Sequence, residues 1–132
     1  MARKSTATRS AIDTQEAPAA IGPYSQGILV NDVLYCSGQI AIDPETSSMV
    51  TESVEEETER VMENLRGVLR AASMSFDDVV RCTVYLTDIN DYAQVNEVYA
   101  RYFDETPPAR NAMEVGALPR NARVEISCVA AR

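Results

Sequence analysis

The chain has 132 residues, of which 45% are hydrophobic and 24% charged, and its formal net charge is −8. This size and balance are typical of a single globular domain, and no apolar run approaches the ~20 residues that span a membrane. The acidic charge disfavours nucleic acid as a partner, because it repels the phosphate backbone.

The residue types that the sequence lacks exclude several kinds of chemistry. Histidine is absent, which excludes Ser-His-Asp and Cys-His catalysis and imidazole metal ligands. The glycine motifs that bind phosphates are absent as well. Cys36, Cys82 and Cys128 lack metal-site spacing and lie in strand-like segments, so we expect buried, reduced thiols and a cytoplasmic location. We expect no metal and no cofactor.

The beginning of the chain predicts a short arm followed by a hairpin. Residues 1–8 are basic and polar without an apolar stretch, which indicates a flexible arm before a single domain over residues 9–132. Two strand-like runs within residues 25–42 flank Asn31 and Asp32, a two-residue turn that tolerates positive φ.

Residues 53–72 carry the clearest helix pattern. Ser53 and Glu56 have the spacing of a capping box, and an apolar stripe at helical spacing follows them. The stripe consists of Val54, Thr58, Val61, Met62, Leu65, Val68, Leu69 and Ala72.

The second half of the chain predicts three more strands and another helix. Residues 79–86 alternate as a strand whose buried face carries Val80, Cys82, Val84 and Leu86. A helix begins at about Asn90, and its buried stripe is Tyr92, Val95, Tyr99, Tyr102 and Phe103. Residues 109–115 and 123–130 predict two further strands. The order β-β-α-β-α-β-β indicates an α+β fold, a mixed sheet with two helices packed on one face.

The face of the sheet without helices has a mixed composition. We assign to it Arg81, Thr83, Tyr85, Arg110, Glu114 and Glu125. A subunit interface would explain this mixture, since clefts between subunits are natural ligand sites. An ordinary solvated sheet face explains it equally well.

Four segments of the sequence resemble the RidA (YjgF/YER/UK) family. They are residues 17–27 (APAAIGPYSQG), 37–46 (SGQIAIDPET), 83–103 (TVYLTDINDYAQVNEVYARYF) and 107–130 (PPARNAMEVGALPRNARVEISCVA). The resemblance implies a chorismate-mutase-like fold that assembles into a trimeric barrel, with ligand clefts between the subunits. It also implies hydrolysis of reactive enamines and imines such as 2-aminoacrylate to 2-keto acids and ammonia, without metal or cofactor.

Two residues carry the chemistry that the resemblance implies. Arg110 matches the arginine of the PAR motif, and its guanidinium suits a substrate carboxylate because it offers a planar bidentate fork. Glu125 matches the glutamate of VEI, where a carboxylate could orient the attacking water or pass a proton to the leaving amine. An ion pair of Glu125 with Arg110 or Arg123 is the structural alternative.

Six further residues match family positions that shape the substrate site. Tyr24 covers the cleft or packs at a loop, and Ser37 and Gly38 offer backbone contacts or mark a strand irregularity. Asn96 and Tyr99 form a pocket wall or serve a structural role. Ala112 stands where many bacterial members have Cys, so a thiol nucleophile at that position is excluded and any contact there comes from the backbone.

Two other functions remain open at this point. One is a noncatalytic, small-carboxylate-binding or chaperone-like regulatory protein on the same trimer. The other is an endoribonuclease that inhibits translation, a label long attached to the family, although the acidic charge and missing histidine disfavour it.

Overall fold

A computed structural model of the chain describes residues 7–132. Within this range six strands and two α-helices follow one another, with short 3₁₀ turns between some of them. The strands are β1 (Arg9–Ile12), β2 (Gly27–Val30), β3 (Val33–Gln39), β4 (Val79–Leu86), β5 (Ala109–Glu114) and β6 (Val124–Ala131), and the helices are α1 (Val54–Ala71) and α2 (Tyr92–Ala100). The predicted α+β class is confirmed.

Strand β1 is an element that the sequence pattern did not predict. Its residues RSAI are largely exposed and lack apolar alternation, yet they pair antiparallel with β2. Just before it, the Asn31 N–H donates to the Thr8 carbonyl at 3.0 Å. Residues 1–6 of the predicted arm lie outside the described residues.

The sheet has the strand order β1-β2-β3-β6-β4-β5. All neighbours are antiparallel except β4 and β5, which are parallel and connected through α2. The β2–β3 turn is the predicted one, and Asn31 adopts a φ of 53°. Because β5 pairs only with β4, its outer backbone groups are left free along one edge of the sheet within residues 7–132.

Helix α1 packs as its sequence predicts, and of the two bonds of the predicted capping box the structure shows the one that Ser53 accepts. The Ser53 side chain accepts a hydrogen bond from the Glu56 N–H at 3.1 Å, which satisfies one of the free donors at the helix start. Every member of the predicted apolar stripe is buried. The helix contacts β3, β6 and α2, so both helices cover the same face of the sheet.

Two polar side chains of α1 are buried although the stripe did not include them. Asn64 donates to the carbonyl oxygens of Ile40 and Ile42 at 3.1 and 2.9 Å. Glu57 accepts from both the backbone N–H and the side-chain Nε of Arg123, each at 3.2 Å. These bonds fix the segment after β3 and the start of β6 against the helix.

Two predicted faces are wrong in detail. The pairing of β4 with β6 shifts between Val79 and Arg81, which forms a β-bulge. The bulge reverses the alternation at the start of β4, so Val79 is buried in the core and Val80 is half exposed. In α2 the buried residues are Val95, Val98 and Tyr99, whereas Tyr92 is 37% exposed.

Arg110 and Glu114 do not lie on the helix-free face. In the parallel pair β4–β5, Arg110 is in register with Cys82 and Glu114 with Leu86, and both β4 residues are buried beneath the helices. Glu114 Oε1 accepts from the Ile89 N–H at 2.8 Å, just before α2. The two residues therefore belong to the helix side, and the prediction failed because alternation within one strand does not fix the register between two strands.

Candidate functional site

A pocket of about 390 Å³ lies at the end of β3. It brings together four of the predicted site residues, Tyr24, Ser37, Gly38 and Glu125. The sequence pattern did not predict its other walls, which are Pro18, Ala19, Ile21, Gln26, Gln39, Ile40, Ile42 and Pro119. The pocket is thus a mainly apolar space with one carboxylate in its lining, and its volume suits a small molecule.

Gln26 holds the loop that forms one wall of this pocket. Its side chain is buried, accepts from the Thr14 N–H at 2.7 Å, and donates to the carbonyl oxygens of Thr14 and Pro18, each at 2.9 Å. The Ser37 backbone N–H donates to the Gln26 carbonyl at 3.0 Å. The Ser37 hydroxyl donates to the Ser25 carbonyl, so this side chain fixes the loop beside Tyr24.

The Glu125 carboxylate lies directly over Gly38. The register between β3 and β6 shifts between Cys36 and Gln39, so the backbone at Gly38 stands in a strand irregularity, as one of the two interpretations expected. A Cβ atom at position 38 would collide with Glu125 Oε2. Gly38 therefore provides the space that the carboxylate occupies.

Glu125 has neither of the ion pairs considered for it. Arg123 pairs with Glu57, with its Nε 3.2 Å from Glu57 Oε2, and Arg110 contacts helix α2 instead. Among residues 7–132, no hydrogen-bond donor or cation contacts the Glu125 carboxylate. Burial raises the pKa of Glu125. An unpaired carboxylate with a raised pKa beside a pocket is suited to accepting and returning a proton.

Arg110 is held by one face of helix α2. Its Nη1 donates to Asn96 Oδ1 and its Nη2 donates to the Tyr92 hydroxyl, each at 2.7 Å. Its guanidinium carbon lies 4.9 Å from the ring centroid of Tyr99. Asn96 and Tyr99, predicted as pocket-wall residues, thus contact Arg110. Tyr92 was missed as a site residue, although the spacing 92, 96, 99 gives one helical face.

Tyr99 separates Arg110 from the core. Its ring is buried, and burial raises the pKa of its hydroxyl above the ordinary value. That hydroxyl lies near the Cys82 thiol without a well-formed hydrogen bond among the described residues. Cys82, Cys36 and Cys128 are free buried thiols, and burial also raises the pKa of Cys82. Such thiols behave as apolar core residues and are poor nucleophiles.

Ala112 contributes a backbone position at the sheet edge. It lies two residues after Arg110 on β5, in register with the buried Val84. Its small side chain packs against the core. The outer edge of β5 has no strand partner within residues 7–132, so backbone groups near Ala112 remain open to a ligand or another chain.

Arg110 and Glu125 are not brought together within one chain. Strand β4 lies between β5 and β6, with Arg110 in register with Cys82 and Glu125 in register with Tyr85. Two strand spacings and three residues of rise separate their Cα atoms by roughly 14 Å. The two side chains also leave opposite faces of the sheet, because Cys82 is buried beneath the helices and Tyr85 lies on the other face.

The described residues contain neither a metal-binding cluster nor a membrane-spanning helix. No cluster of three or more His, Cys, Asp or Glu side chains within residues 7–132 is arranged to hold a metal ion. The expectation that no metal or cofactor is needed stays a prediction. Neither α1 nor α2 is long and apolar enough to cross a membrane.

Comparisons with known proteins identify the family. Residues 14–132 match the family model described as Endoribonuclease L-PSP. The 2-iminobutanoate/2-iminopropanoate deaminase of Mus musculus is 47% identical over 126 residues, which are 96% of this chain and 93% of the relative.

Two solved structures have the same fold. The conserved Rid family protein YyfA from Yersinia pestis has a TM-score of 0.91 and 46% identity, covering 95% of this chain and 100% of that one. E. coli TdcF with bound serine has a TM-score of 0.90 and 38% identity, covering 93% of this chain and 98% of that one. The resemblance to RidA is thereby confirmed, and the chain belongs to the Rid proteins of the endoribonuclease L-PSP family.

Proposed function

We propose that this protein hydrolyses 2-imino acids, and the enamines from which they form, to 2-keto acids and ammonia. The observation that carries the proposal is the unpaired Glu125 carboxylate at an apolar pocket, with its pKa raised by burial. The name of the mouse relative gives 2-iminobutanoate and 2-iminopropanoate as substrates of that protein. Small 2-imino acids of this kind are the substrates we propose here.

Arg110 binds the substrate carboxylate in this proposal. Its guanidinium is held against α2, which restricts its motion before a ligand arrives. A three- or four-carbon acid has few other groups to bind, so this one charge supplies most of the affinity. The serine bound to the similar TdcF is likewise a small molecule with a carboxylate.

Glu125 handles the protons of the reaction. An enamine first tautomerises to the imine, and a water oxygen then bonds to the imine carbon. Glu125 accepts one proton from that water and passes it to the nitrogen, which opens the C=N double bond and gives a carbinolamine. Glu125 then accepts the proton of the new hydroxyl and passes it to the amine, so that the carbonyl forms, the C–N bond breaks and ammonia leaves with both bonding electrons. Water and imine give one keto acid and one ammonia, and the carboxylate is regenerated. The raised pKa of Glu125 suits it to both transfers.

We further propose that the protein is a homotrimer whose active sites lie between subunits. The opposite directions of the Arg110 and Glu125 side chains support this, because they leave different faces of the sheet and one small substrate cannot contact both through it. The exposed Tyr35 and Met113 give the sheet apolar surface that a second copy would bury. In such an assembly one cleft contains Arg110 of one copy and Glu125 of its neighbour. The other residues that line this cleft are Tyr24, Ser37, Gly38, Asn96, Tyr99 and the backbone at Ala112.

The compartment that we propose is the cytoplasm. All three cysteines are buried free thiols, which supports a reducing environment.

A coupled assay tests the proposed reaction. A serine/threonine dehydratase generates 2-aminoacrylate, and keto-acid release is followed with and without this protein. We expect acceleration by the wild type and a loss of at least about 30-fold in Arg110→Ala, since truncating a charged partner costs about 2–5 kcal/mol. Arg110→Lys should also fail, because a point charge cannot reproduce the bidentate fork.

The same assay separates this reaction from noncatalytic carboxylate binding. A binding protein would hold 2-oxobutanoate through Arg110 but leave keto-acid release unchanged. Equal rates with and without the wild-type protein would refute the enzymatic proposal, and light scattering that reports a monomer or dimer at micromolar concentration would refute the trimer.

A further inference from the structure

The Tyr92 hydroxyl contacts Arg110 but has no role in the reaction proposed above. It accepts a hydrogen bond from Arg110 Nη2 at 2.7 Å. Its ring also lies under the guanidinium, with the carbon Cζ 5.4 Å from the ring centroid. Tyr92 therefore contacts Arg110 both through an oxygen and through its aromatic face.

Three residues together enclose the guanidinium. Asn96 accepts from Nη1, Tyr92 accepts from Nη2, and the Tyr99 ring lies on the side of the core. Tyr99 is buried, whereas Tyr92 is 37% exposed. Tyr92 is thus the outer member of the group, on the side from which a ligand would approach.

The position of Tyr92 is itself fixed from strand β5. Tyr92 is the first residue of α2, and the preceding Ile89 N–H donates to Glu114 Oε1 at 2.8 Å. The Asp88 side chain caps the Asn90 N–H at 2.9 Å. Glu114 and Arg110 lie on the same strand, so the strand that carries the arginine also anchors the start of the helix that holds it.

We propose that Tyr92 is a positioning residue for carboxylate binding, whose hydroxyl fixes the plane of the Arg110 guanidinium. This inference rests on the proposed function, in which Arg110 binds the substrate carboxylate. A guanidinium has five N–H groups. Tyr92 and Asn96 engage two of them, which leaves three, and a bidentate carboxylate needs two. The contact therefore orients the arginine without blocking the ligand.

Tyr92→Phe isolates the hydroxyl, because the ring and its contact with the guanidinium remain. We expect the KM for 2-aminoacrylate and the Kd for 2-oxobutanoate to rise roughly three- to tenfold, because the loss of one hydrogen bond has an effect of that size. The kcat should change by less than about twofold, because the proton transfers belong to Glu125. Tyr92→Leu removes the ring as well and should weaken binding further.

Tyr102→Phe is the matched control. Its hydroxyl donates to Glu63 Oε2 at 2.8 Å, away from Arg110, so the variant loses a phenol hydrogen bond outside the site. Its KM should equal that of the wild type. Circular dichroism verifies the fold of each variant.

A double-mutant cycle distinguishes positioning from a general structural effect. In an Arg110→Lys background, Tyr92→Phe should change the Kd for 2-oxobutanoate by less than about twofold, because the geometry that it supports is gone. An equal loss in both backgrounds would contradict the positioning role. If Arg110→Ala loses binding but Tyr92→Phe does not, this inference alone fails. If Arg110→Ala binds 2-oxobutanoate as the wild type does, the site assignment fails and this inference fails with it.

Discussion

The Glu125 carboxylate occupies the space that a side chain at position 38 would need. The irregular pairing of β3 with β6 brings the backbone of Gly38 to this carboxylate. Gly38, which lies in this strand irregularity, thus determines the position of Glu125, the residue that we propose transfers the protons. This relationship makes the catalytic role of Glu125 testable without changing Glu125 itself.

Gly38→Ala should lower activity far more than stability. The added Cβ meets the end of a side chain that can rotate, so Glu125 moves while the backbone stays. We expect kcat/KM to fall about 10- to 100-fold, since displacing a reacting group by about 1 Å has effects of that size. Gly116→Ala is the control, because no atom lies within 4 Å of a Cβ built there. Steady-state kinetics and thermal unfolding decide, and a Gly38→Ala variant with wild-type kcat/KM would contradict the assignment of Glu125.

Glu125→Gln should stabilise the protein at neutral pH while slowing turnover. Burial raises the pKa of Glu125, so the folded state favours the protonated carboxyl. Glu125 therefore makes its full contribution to the free energy of unfolding below the pKa of about 4.3 that it has in the unfolded chain. This contribution is lost as the pH rises through the higher pKa that Glu125 has in the folded state. Glutamine avoids that loss, and we expect a Tm gain of roughly 1–3 °C at pH 8 that disappears near pH 4.

Thermal unfolding at pH 4, 6 and 8, at one protein concentration, measures this difference. Glu45→Gln removes the same charge from an exposed loop and reports the general effect of lowering a net charge of −8. A Tm gain in Glu125→Gln that does not depend on pH would show that burial of the charge is not its cause.

Arg123→Ala should destabilise the fold because it leaves a buried charge without its partner. The Glu57 side chain is 1% exposed, and its pKa is raised because burial outweighs the attraction of Arg123. Removing one partner of a buried pair costs about 3–5 kcal/mol, and we expect the lower end because Arg123 is partly exposed. The loss should shrink towards pH 4, where Glu57 can take up a proton.

Denaturant unfolding at pH 4.5 and pH 7 tests this prediction. Arg101→Ala is the comparison, because Arg101 forms an exposed pair with Glu97 at 3.3 Å and such pairs contribute little. If both arginine variants lose the same free energy of unfolding at pH 7, the Glu57–Arg123 pair stabilises the fold no more than a surface pair does.

Local chemistry was enough to predict most of the secondary structure. The Ser53 cap, the stripe of α1 and the last strand each depend on residues close in sequence, and the structure confirms them. Asn31 has the positive φ that a two-residue turn requires. These features follow from hydrogen bonds and burial within a single element or hairpin.

The faces of the site could not be predicted in the same way. Arg110 was assigned to the wrong face because the register of β4 with β5 depends on how α2 crosses between them. The pocket walls come from segments far apart in sequence, such as Ile21, Ile40 and Pro119. That Glu125 has no ion-pair partner within residues 7–132 also depends on tertiary structure, since Glu57 pairs with the nearby Arg123.

Mixing two inactive variants tests the central claim most directly, that Arg110 and Glu125 of different copies act on one imine. Arg110→Ala and Glu125→Gln proteins are unfolded together, refolded at equal concentration, and assayed for keto-acid release from 2-aminoacrylate. If each site takes Arg110 from one copy and Glu125 from its neighbour, random assembly gives both residues to about a quarter of all sites in the refolded sample, and activity returns to about a quarter of the wild type refolded in the same way. Activity that stays at the level of the separate variants would contradict the account.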